Sequence, residues 1–399
     1  MIKKQNWLRW LFALVYLTSY MGRNAYAAVL VEIIRDLQVS KSLASIAVTG
    51  AFFSYGLGQF VSGRLGDKFQ PQKLVLIGLS VTGLINLSVF FLPQITYMNI
   101  IWPVGGFFHS MVWSPLVRMV TQLYPDGTQY RRVIGFVNQG SYVGQAGVFV
   151  LASLLVKHLD WTLVFAATGG LSVLMAASWF FATHRMRFTD GVVSAVAVSP
   201  SERLTLRKMI GFGFVQICLV CIVAGFLRDG IGTWIPSYFS EIYNMESSVA
   251  ILTSVLLPFC AIITVSMVNM LADRLPNELQ YSTIFMGFGA LVAVVLSVTF
   301  SHWVGFDLVL MILISCAIRG AVLPMTSHLP RRFARYGMVS TISGIMDGVI
   351  YVGSGIATYV LALLSDNFGW QTNLILWAGI ALIGALFCLS AIRPFSRVQ

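Results

Sequence analysis

The sequence predicts an all-α integral membrane protein in which twelve transmembrane helices form two pseudo-symmetric six-helix bundles. Hydrophobic residues make up 57% of its 399 residues and charged residues only 10%, a composition far outside that of soluble domains. Apolar runs long enough to cross a bilayer recur along the whole chain. Motifs of the first half also recur in the second half at a nearly constant spacing.

Charged and polar breaks between the apolar runs predict where each span begins and ends. A basic N-terminal stretch precedes the first run, which is too long for a cleaved signal peptide and is predicted to remain as a span. The longest polar break, residues 186–206, predicts a cytoplasmic linker between bundles 1–185 and 207–399. The spans are predicted near residues 8–33, 42–65, 73–93, 97–123, 132–156, 161–183, 207–240, 247–272, 280–300, 304–328, 337–364 and 370–392.

The lysines and arginines of the loops predict the orientation. On one side of the predicted membrane the loops carry only Arg35, Lys41 and Lys157, and the other loop cations lie on the opposite side. By the positive-inside rule both termini are cytoplasmic, in a multi-pass protein of the cell (inner) membrane. The net charge of +11 thus reflects the lysines and arginines of the predicted cytoplasmic loops. The expected surroundings are a lipid bilayer, and we expect no nucleic-acid partner.

Enzymatic chemistry is not indicated by the sequence. It has no metal-ligand cluster, no nucleophile–base constellation and no nucleotide-binding motif. We therefore expect no metal, no cofactor and no enzyme. The five cysteines all lie in apolar runs, so we interpret them as small buried residues rather than a disulfide framework.

The repeat favours a duplication with parallel topology. Tyr142-Val143-Gly144 recurs as Tyr351-Val352-Gly353, 209 residues further on. Parallel halves related by an axis along the membrane normal place a substrate site between them, near the midplane. The same spacing relates Gly135 to Gly344, Asn138 to Asp347 and Trp161 to Trp370.

Two arginines at matched depth are the strongest functional signal. Arg23 and Arg228 lie deep in the first and seventh apolar runs, 205 residues apart. A charge inside a membrane span indicates function unless something pairs with it. We predict an anion clamp, because guanidinium presents a fork of donors that matches phosphate, sulfonate or carboxylate oxygens. The alternative is a structural arginine that snorkels or forms an ion pair.

Three further charges in the second half are candidates for coupling or ion pairing. Asp229 adjoins Arg228, but neighbours on a helix diverge by about 100°, so we expect Asp229 to pair with a third residue. It is also a candidate proton carrier, because burial raises the pKa of a carboxyl group. Arg319 and Asp347 are interpreted either as a structural ion pair or as substrate ligand and coupling carboxylate.

Charges at the predicted cytoplasmic ends of the spans are assigned to gating. Arg118 lies near that end of the fourth span. Asp67 with Lys68, and Asp273 with Arg274, follow the second and eighth spans. We expect these groups to hold the cytoplasmic side shut in one state and to release it in the other.

Aromatic and polar side chains are candidates to line the substrate site. For each aromatic, packing is an equal alternative. The glycine-rich runs at 135–147 and 344–355 predict close helix packing rather than a phosphate loop. The candidates chosen are Tyr26, Trp113, Asn138, Ser141, Tyr142 and Tyr351.

The chain resembles the major facilitator superfamily over nearly its full length, and within it the organophosphate:phosphate antiporter family. Four stretches carry the resemblance: Tyr20–Asn24, Gly63–Lys73, Gly106–Arg118 and Phe226–Tyr238. It implies that Arg23 and Arg228 bind the substrate. A well-known phosphate transporter of that family has basic or titratable residues where this chain has Asn24, Gln59 and Ser141, so inorganic phosphate exchange is not implied.

These observations predict a monomeric secondary transporter for a small organic anion, working by alternating access. We expect the empty arginines to repel each other and a bound anion to neutralise both, which favours anion antiport. Two alternatives remain open. One is a proton-coupled organic-anion symporter that uses Asp229 or Asp347, and the other is a ligand sensor built on a transporter fold.

Overall fold

A computed structural model describes residues 2–124, 127–186, 206–272, 274–275, 277–336 and 339–396. The side chains at 2–6, 63–68, 127–128, 131, 206–207, 262, 266, 269, 272, 327, 331, 334–336, 339–341 and 343 lie outside this description. The predicted all-α class is confirmed, since every regular element in these ranges is helical.

Fifteen α-helices and two irregular helical stretches make up the described chain. The longer helices coincide with the predicted spans, and eleven spans in the described residues are long and apolar enough to cross a membrane. The elements are α1 Ile2–Ala28, α2 Leu30–Asp36, α3 Lys41–Lys68, α4 Pro71–Phe91, α5 Ile95–Leu123, α6 Gly127–His158, α7 Thr162–Thr183, α8 Leu206–Gly211, α9 Phe214–Ile242, α10 Ser247–Thr253, α11 Leu256–Ala272, α12 Glu278–Thr299, α13 Val304–Leu323, a π-helical turn Pro324–His328, a 3-10 stretch Leu329–Tyr336, α14 Val339–Phe368 and α15 Trp370–Phe395.

Helix α1 is the predicted span that is not among these eleven. It is 27 residues long, which is ample for a membrane crossing. Arg9, Arg23 and Asn24 lower its apolar character. The first span is therefore polar because it carries candidate site residues.

Several predicted spans are interrupted where the backbone leaves α geometry. The first breaks at Val29, between α1 and α2. The seventh breaks at Gly213, whose φ of 76° is a left-handed conformation that glycine adopts without strain. In the tenth, α geometry ends at Leu323 and the π-helical turn Pro324–His328 continues the helix. Apolar length alone did not predict these breaks.

The chain divides into two compact units. The first comprises Met1–Gly191 together with Met245–Pro258, and the second comprises Val192–Asn244 together with Phe259–Gln399. Short helix α10 thus packs within the first unit, against α6. The bundle boundaries drawn from the sequence at 185 and 206 stay a prediction.

Glycines bring repeat-related helices into close contact, as the glycine-rich runs predict. In the first unit, a Cβ on Gly144 of α6 would overlap the carbonyl of Leu17 on α1. In the second, a Cβ on Gly353 of α14 would overlap the carbonyl of Ile222 on α9. The two glycines are 209 residues apart, and the two residues whose carbonyls they meet, Leu17 and Ile222, are 205 residues apart. Small residues at such crossings let helix backbones approach closely.

A second repeated contact fastens the ends of these bundles. The indole N–H of Trp161 donates to Asp36 at 2.9 Å, and that of Trp370 donates to Glu241 at 2.9 Å. The tryptophans are again 209 residues apart and the acids 205. Two independent contacts with the same pair of spacings support the duplication.

We predict that Gly353→Ala destabilises the protein by about 1–3 kcal/mol, because the added methyl group meets backbone that cannot move aside. Thermal unfolding in detergent measures this. Gly344→Ala in the same helix is the matched control, since its Cβ would meet nothing within 4 Å. Equal melting temperatures for the two variants would contradict the packing role of Gly353.

Candidate functional site

The Arg23 guanidinium lies against two aromatic rings of the first unit. Its Cζ is 4.0 Å from the ring centroid of Tyr55 on α3 and 5.6 Å from that of Tyr20 on α1. Such contacts are worth about 0.5–2 kcal/mol and are strongest when desolvated. They stabilise a guanidinium inside the bundle.

Further aromatic side chains extend this arrangement into a cluster, which we call the Arg23 cluster: Arg23, Tyr16, Tyr20, Tyr55, His109 and Trp113. Tyr16 stacks on Trp113, with ring centroids 4.6 Å apart, and its ring is 4.9 Å from that of Tyr20. His109 lies 6.2 Å from Tyr20 and 5.9 Å from Tyr55. Trp113 is thus joined to Arg23 through two tyrosines, and its substrate contact stays a prediction.

His109 is held at the base of the Arg23 cluster. It is 4% exposed, and the hydroxyl of Ser19 lies 3.2 Å from its Nε2. Glycines position the helix that carries it: a Cβ on Gly58 would meet Ser110 and a Cβ on Gly106 would meet Ser54. Helices α3 and α5 therefore pack closely beside the cluster.

In the second unit, Arg228 is paired with its neighbour Asp229. Arg228 Nε donates to Oδ1 at 2.9 Å, and Nη2 donates to Oδ2 at 2.6 Å. The prediction that Asp229 would pair with a third residue instead was wrong. The 100° offset holds for the Cβ atoms, but the long arginine stem lets the guanidinium fold back to the adjacent carboxylate.

Ser354 and Tyr351 of α14 complete this second site. Ser354 Oγ lies 2.6 Å from Asp229 Oδ2, as a donor. The Tyr351 ring centroid is 5.4 Å from Arg228 Cζ. Tyr351 therefore stands beside the arginine, and its substrate contact stays a prediction. Asp229 has a third partner in addition to Arg228.

Tyr26 does not belong to either site. It is fully buried, and its hydroxyl donates to the carbonyl of Ala44 at 2.9 Å while its ring packs against Trp102. This geometry fits the alternative that Tyr26 is a packing residue, and we no longer assign it a substrate contact. The hydroxyl is committed to holding α1 against α3.

The candidates on α6 are spread over several environments. Ser141 is buried, and its hydroxyl donates to the carbonyl of Asn138 at 2.7 Å. The Asn138 side chain is exposed and Tyr142 is half-buried. Among the described residues Tyr142 makes no hydrogen bond. Their substrate contacts stay predictions.

Arg319 and Asp347 do not form the ion pair that was one of the two alternatives. Arg319 Nε is buried without a hydrogen-bond partner, and within the described ranges no ion pair links it to Asp347. Arg319 lies near Cys260 on α11, whereas Asp347 lies near Cys221 on α9, each close enough to act electrostatically. The other alternative, in which Arg319 is a substrate ligand and Asp347 a coupling carboxylate, stays a prediction.

Only some of the residues assigned to gating lie among those whose side chains the structure describes. Arg118 has a buried Nη1 without a hydrogen-bond partner, and Arg274 is exposed. The side chains of Asp67 and Lys68 lie outside the described residues, as does Asp273. Gating therefore stays a prediction for all five.

The neutral residues that replace basic groups of the antiporter family are bonded within the first unit. Asn24 Nδ2 donates to the carbonyl of Tyr20 at 2.8 Å, and Gln59 Oε1 accepts from Ser114 at 3.0 Å.

Sequence reasoning did not select Tyr16, Tyr20 and Ser354. Helical spacing carried part of the signal, because Tyr16 and Tyr20 precede Arg23 by seven and three residues and so share its face. Likewise Ser354 follows Tyr351 by three. The approach of α3 and α5 to this face depends on tertiary packing, which no local pattern shows.

The chain is all-α and polytopic, with an arginine at the equivalent place in each half of the duplication. It belongs to the Major Facilitator Superfamily, which matches residues 12–358. Membership of this family makes the chain a membrane transporter rather than an enzyme.

Three relatives align over most of the chain. A probable hexose phosphate transport protein of Chlamydia muridarum is 21% identical over 94% of this chain and 88% of its own length. A D-galactonate transporter of Escherichia coli is 22% identical over 95% and 93%. The membrane sensor protein UhpC of Escherichia coli is 22% identical over 96% and 90%.

Solved structures share the fold. A bacterial homologue of the human lysosomal transporter Spinster matches with a TM-score of 0.78 at 13% identity, over 99% of this chain and 98% of that one. A D-xylose–proton symporter matches with a TM-score of 0.76 at 12% identity, over 97% and 96%. The predicted family and fold are confirmed.

We predict that Arg228→Met and Asp229→Asn are strongly non-additive, with a coupling energy of about 1–3 kcal/mol, because either change alone leaves a partly buried charge uncompensated. Unfolding of the two single variants and the double variant in detergent measures the coupling. The matched control is the cycle of Arg319→Met and Asp347→Asn, which we expect to be additive. Additivity of the first cycle would contradict the pair.

Proposed function

We propose that this transporter moves a small organic anion across the membrane by alternating access, with Arg23 as the principal ligand. The observation that carries the proposal is the position of the Arg23 guanidinium, 4.0 Å from the Tyr55 ring centroid inside a membrane bundle. The ring contacts hold a guanidinium inside the bundle, where a charged side chain indicates a functional site.

The names of two relatives support an anionic substrate. One is named for hexose phosphate and the other for D-galactonate, and both compounds join a negative charge to a hydroxylated carbon body. A guanidinium recognises such a charge through charge-assisted hydrogen bonds. The aromatic rings of the Arg23 cluster supply apolar faces on which the carbon body can pack.

The mode of coupling has two candidates. Exchange of anions was predicted from two arginines that repel each other when empty. The Arg228–Asp229 pair, with bonds of 2.9 and 2.6 Å, reduces the positive charge available for that repulsion. The pair favours a second candidate, proton-coupled symport, in which protonation of Asp229 releases Arg228.

We further propose that both termini face the cytoplasm and that the protein acts as a monomer in the cell membrane. The distribution of loop cations supports the orientation.

We predict that Arg23→Gln abolishes uptake of the transported anion into proteoliposomes. The loss should be at least about 100-fold, because two charge-assisted hydrogen bonds of about 1.5–3 kcal/mol each are removed. Arg23→Lys should retain part of the activity, since it keeps the charge and loses the planar fork. The assay screens hexose phosphates, glycerol phosphate, hexonates, hexuronates and sulfonates.

Arg35→Gln is the control for removal of a cation, because the Arg35 side chain is 72% exposed. Wild-type uptake by the Arg23→Gln protein would overturn the proposal.

Uptake measured with and without an anion inside the vesicles, and with and without a pH gradient, separates exchange from symport. Binding that depends on Arg23 without any counterflow would identify the sensor alternative.

A further inference from the structure

We infer that Arg319 of α13 binds the oxyanion group of the solute in the second unit. The inference rests on the proposed function for one premise, that the solute is an organic anion, and it adds a binding residue. Two alternatives were predicted for Arg319, an ion pair and a ligand contact. The surroundings of Arg319 favour the second.

Arg319 lies inside a membrane-spanning helix and has no counter-ion among the described residues. The span runs from Val304 to Thr326, and Arg319 is seven residues from its nearer end. The residue is half-buried, and its Nε is enclosed without a hydrogen-bond partner. It forms no ion pair in the part of the chain that the structure describes. A charge in such a position indicates a functional site.

The acids of the neighbouring helices do not bond to Arg319. Helix α11 contains no acidic residue. The acid of α13, Asp307, is twelve residues away, which is about 18 Å along a helix. Asp307 accepts hydrogen bonds from Tyr238 and Tyr243 instead. The sequence of α11 and α13 therefore provides no internal carboxylate beside this arginine.

Neutral groups of α11 and α13 lie beside Arg319. Cys260 of α11 is close enough to interact electrostatically with the guanidinium. Cys316, which precedes Arg319 by three residues, donates from Sγ to the carbonyl oxygen of Cys260 at 3.8 Å. The hydroxyl of Thr264 donates to the carbonyl oxygen of Cys316 at 3.4 Å. Thiols and hydroxyls do not balance a guanidinium charge, so a bound anion is left to do so.

An oxyanion supplies the acceptor that Arg319 lacks. A buried donor without a partner destabilises the folded protein, and a charged donor does so more strongly. Guanidinium binds two oxygens at once along the edge formed by Nε and one terminal nitrogen. Carboxylates, phosphates and sulfonates all present such a pair of oxygens.

Arg228 shows the same edge when it is occupied. Its Nε and Nη2 bind both oxygens of Asp229 at 2.9 and 2.6 Å, and the hydroxyl of Ser354 holds that carboxylate at 2.6 Å. An external oxyanion that uses this edge of Arg228 must displace Asp229. At Arg319 it displaces no described side chain. Arg319 is therefore the better placed of the two to take a ligand.

The first test is the stability of the protein without ligand. Arg319→Met should raise the melting temperature, because it replaces an unpaired charge by an apolar chain of similar length. Arg393→Gln is the control, since it removes an exposed cation of the same unit, and it should leave the melting temperature nearly unchanged. A lower melting temperature for Arg319→Met would indicate a structural arginine and overturn the inference.

The second test measures binding of D-galactonate and D-glucose 6-phosphate by the ligand-induced shift in melting temperature. For the probe that binds the wild type more tightly, Arg319→Met should weaken binding by at least about tenfold, since it removes charge-assisted hydrogen bonds. Arg319→Lys should weaken it less, because it keeps the charge and loses the fork. Arg393→Gln should bind as the wild type does. Should Arg319→Met fail to fold, Arg319→Lys carries this test.

The third test reads the site locally through Cys316. The bound probe should slow the reaction of Cys316 with N-ethylmaleimide by at least about threefold, because thiol reactivity follows access. Mass spectrometry measures the rate for each cysteine. Cys218 of α9, which is half-buried like Cys316, is the reference and should react at an unchanged rate. A purely structural Arg319 would not produce this difference.

Unchanged binding by a folded Arg319→Met protein would overturn the inference, as would equal slowing at Cys218 and Cys316. The proposed function fails separately, when Arg23→Gln retains wild-type uptake; protection of Cys316 in that variant would leave the inference in place. Loss of uptake in Arg23→Gln, together with unchanged binding in Arg319→Met, removes only the inference. If neither probe binds the wild type, both fail.

Discussion

The structure depends on how a guanidinium is kept inside a membrane bundle. An isolated charge in such surroundings costs several kcal/mol, so each arginine must be compensated locally. Arg23 is compensated by ring faces, with Tyr55 at 4.0 Å, and Arg228 by a carboxylate, with Asp229 at 2.6 Å. The two arginines are therefore stabilised in different ways, one by ring faces and the other by a carboxylate.

Close helix contacts of the same kind position the groups that surround each arginine. Gly144 lets α6 pack on α1 beside Leu17, six residues before Arg23. Gly225 and Gly353 let α9 and α14 pack beside Arg228, and this brings Ser354 within 2.6 Å of Asp229. Side chains on two helices can share one guanidinium or one carboxylate only when the helix backbones lie this close.

The two halves keep the packing and differ in the chemistry. The glycine contacts and the tryptophan–acid bonds recur with the spacings of the duplication. At the position after each arginine the halves diverge, with Asn24 in one and Asp229 in the other. A repeated scaffold with one changed charge gives two binding environments that are related in shape and unlike in electrostatics.

The sequence by itself determined the fold class and the family, and it selected Arg23 and Arg228 as candidate site residues. Apolar length, repeat spacing and charge depth are properties of the chain as written, and the bilayer permits few structures that satisfy them. Only the tertiary structure decided what compensates each charge. Tyr55 lies 32 residues from Arg23, and Ser354 lies 125 from Asp229, so neither contact shows in a local pattern. The Arg228–Asp229 pair is local, but it depends on side-chain torsions that helical periodicity does not fix.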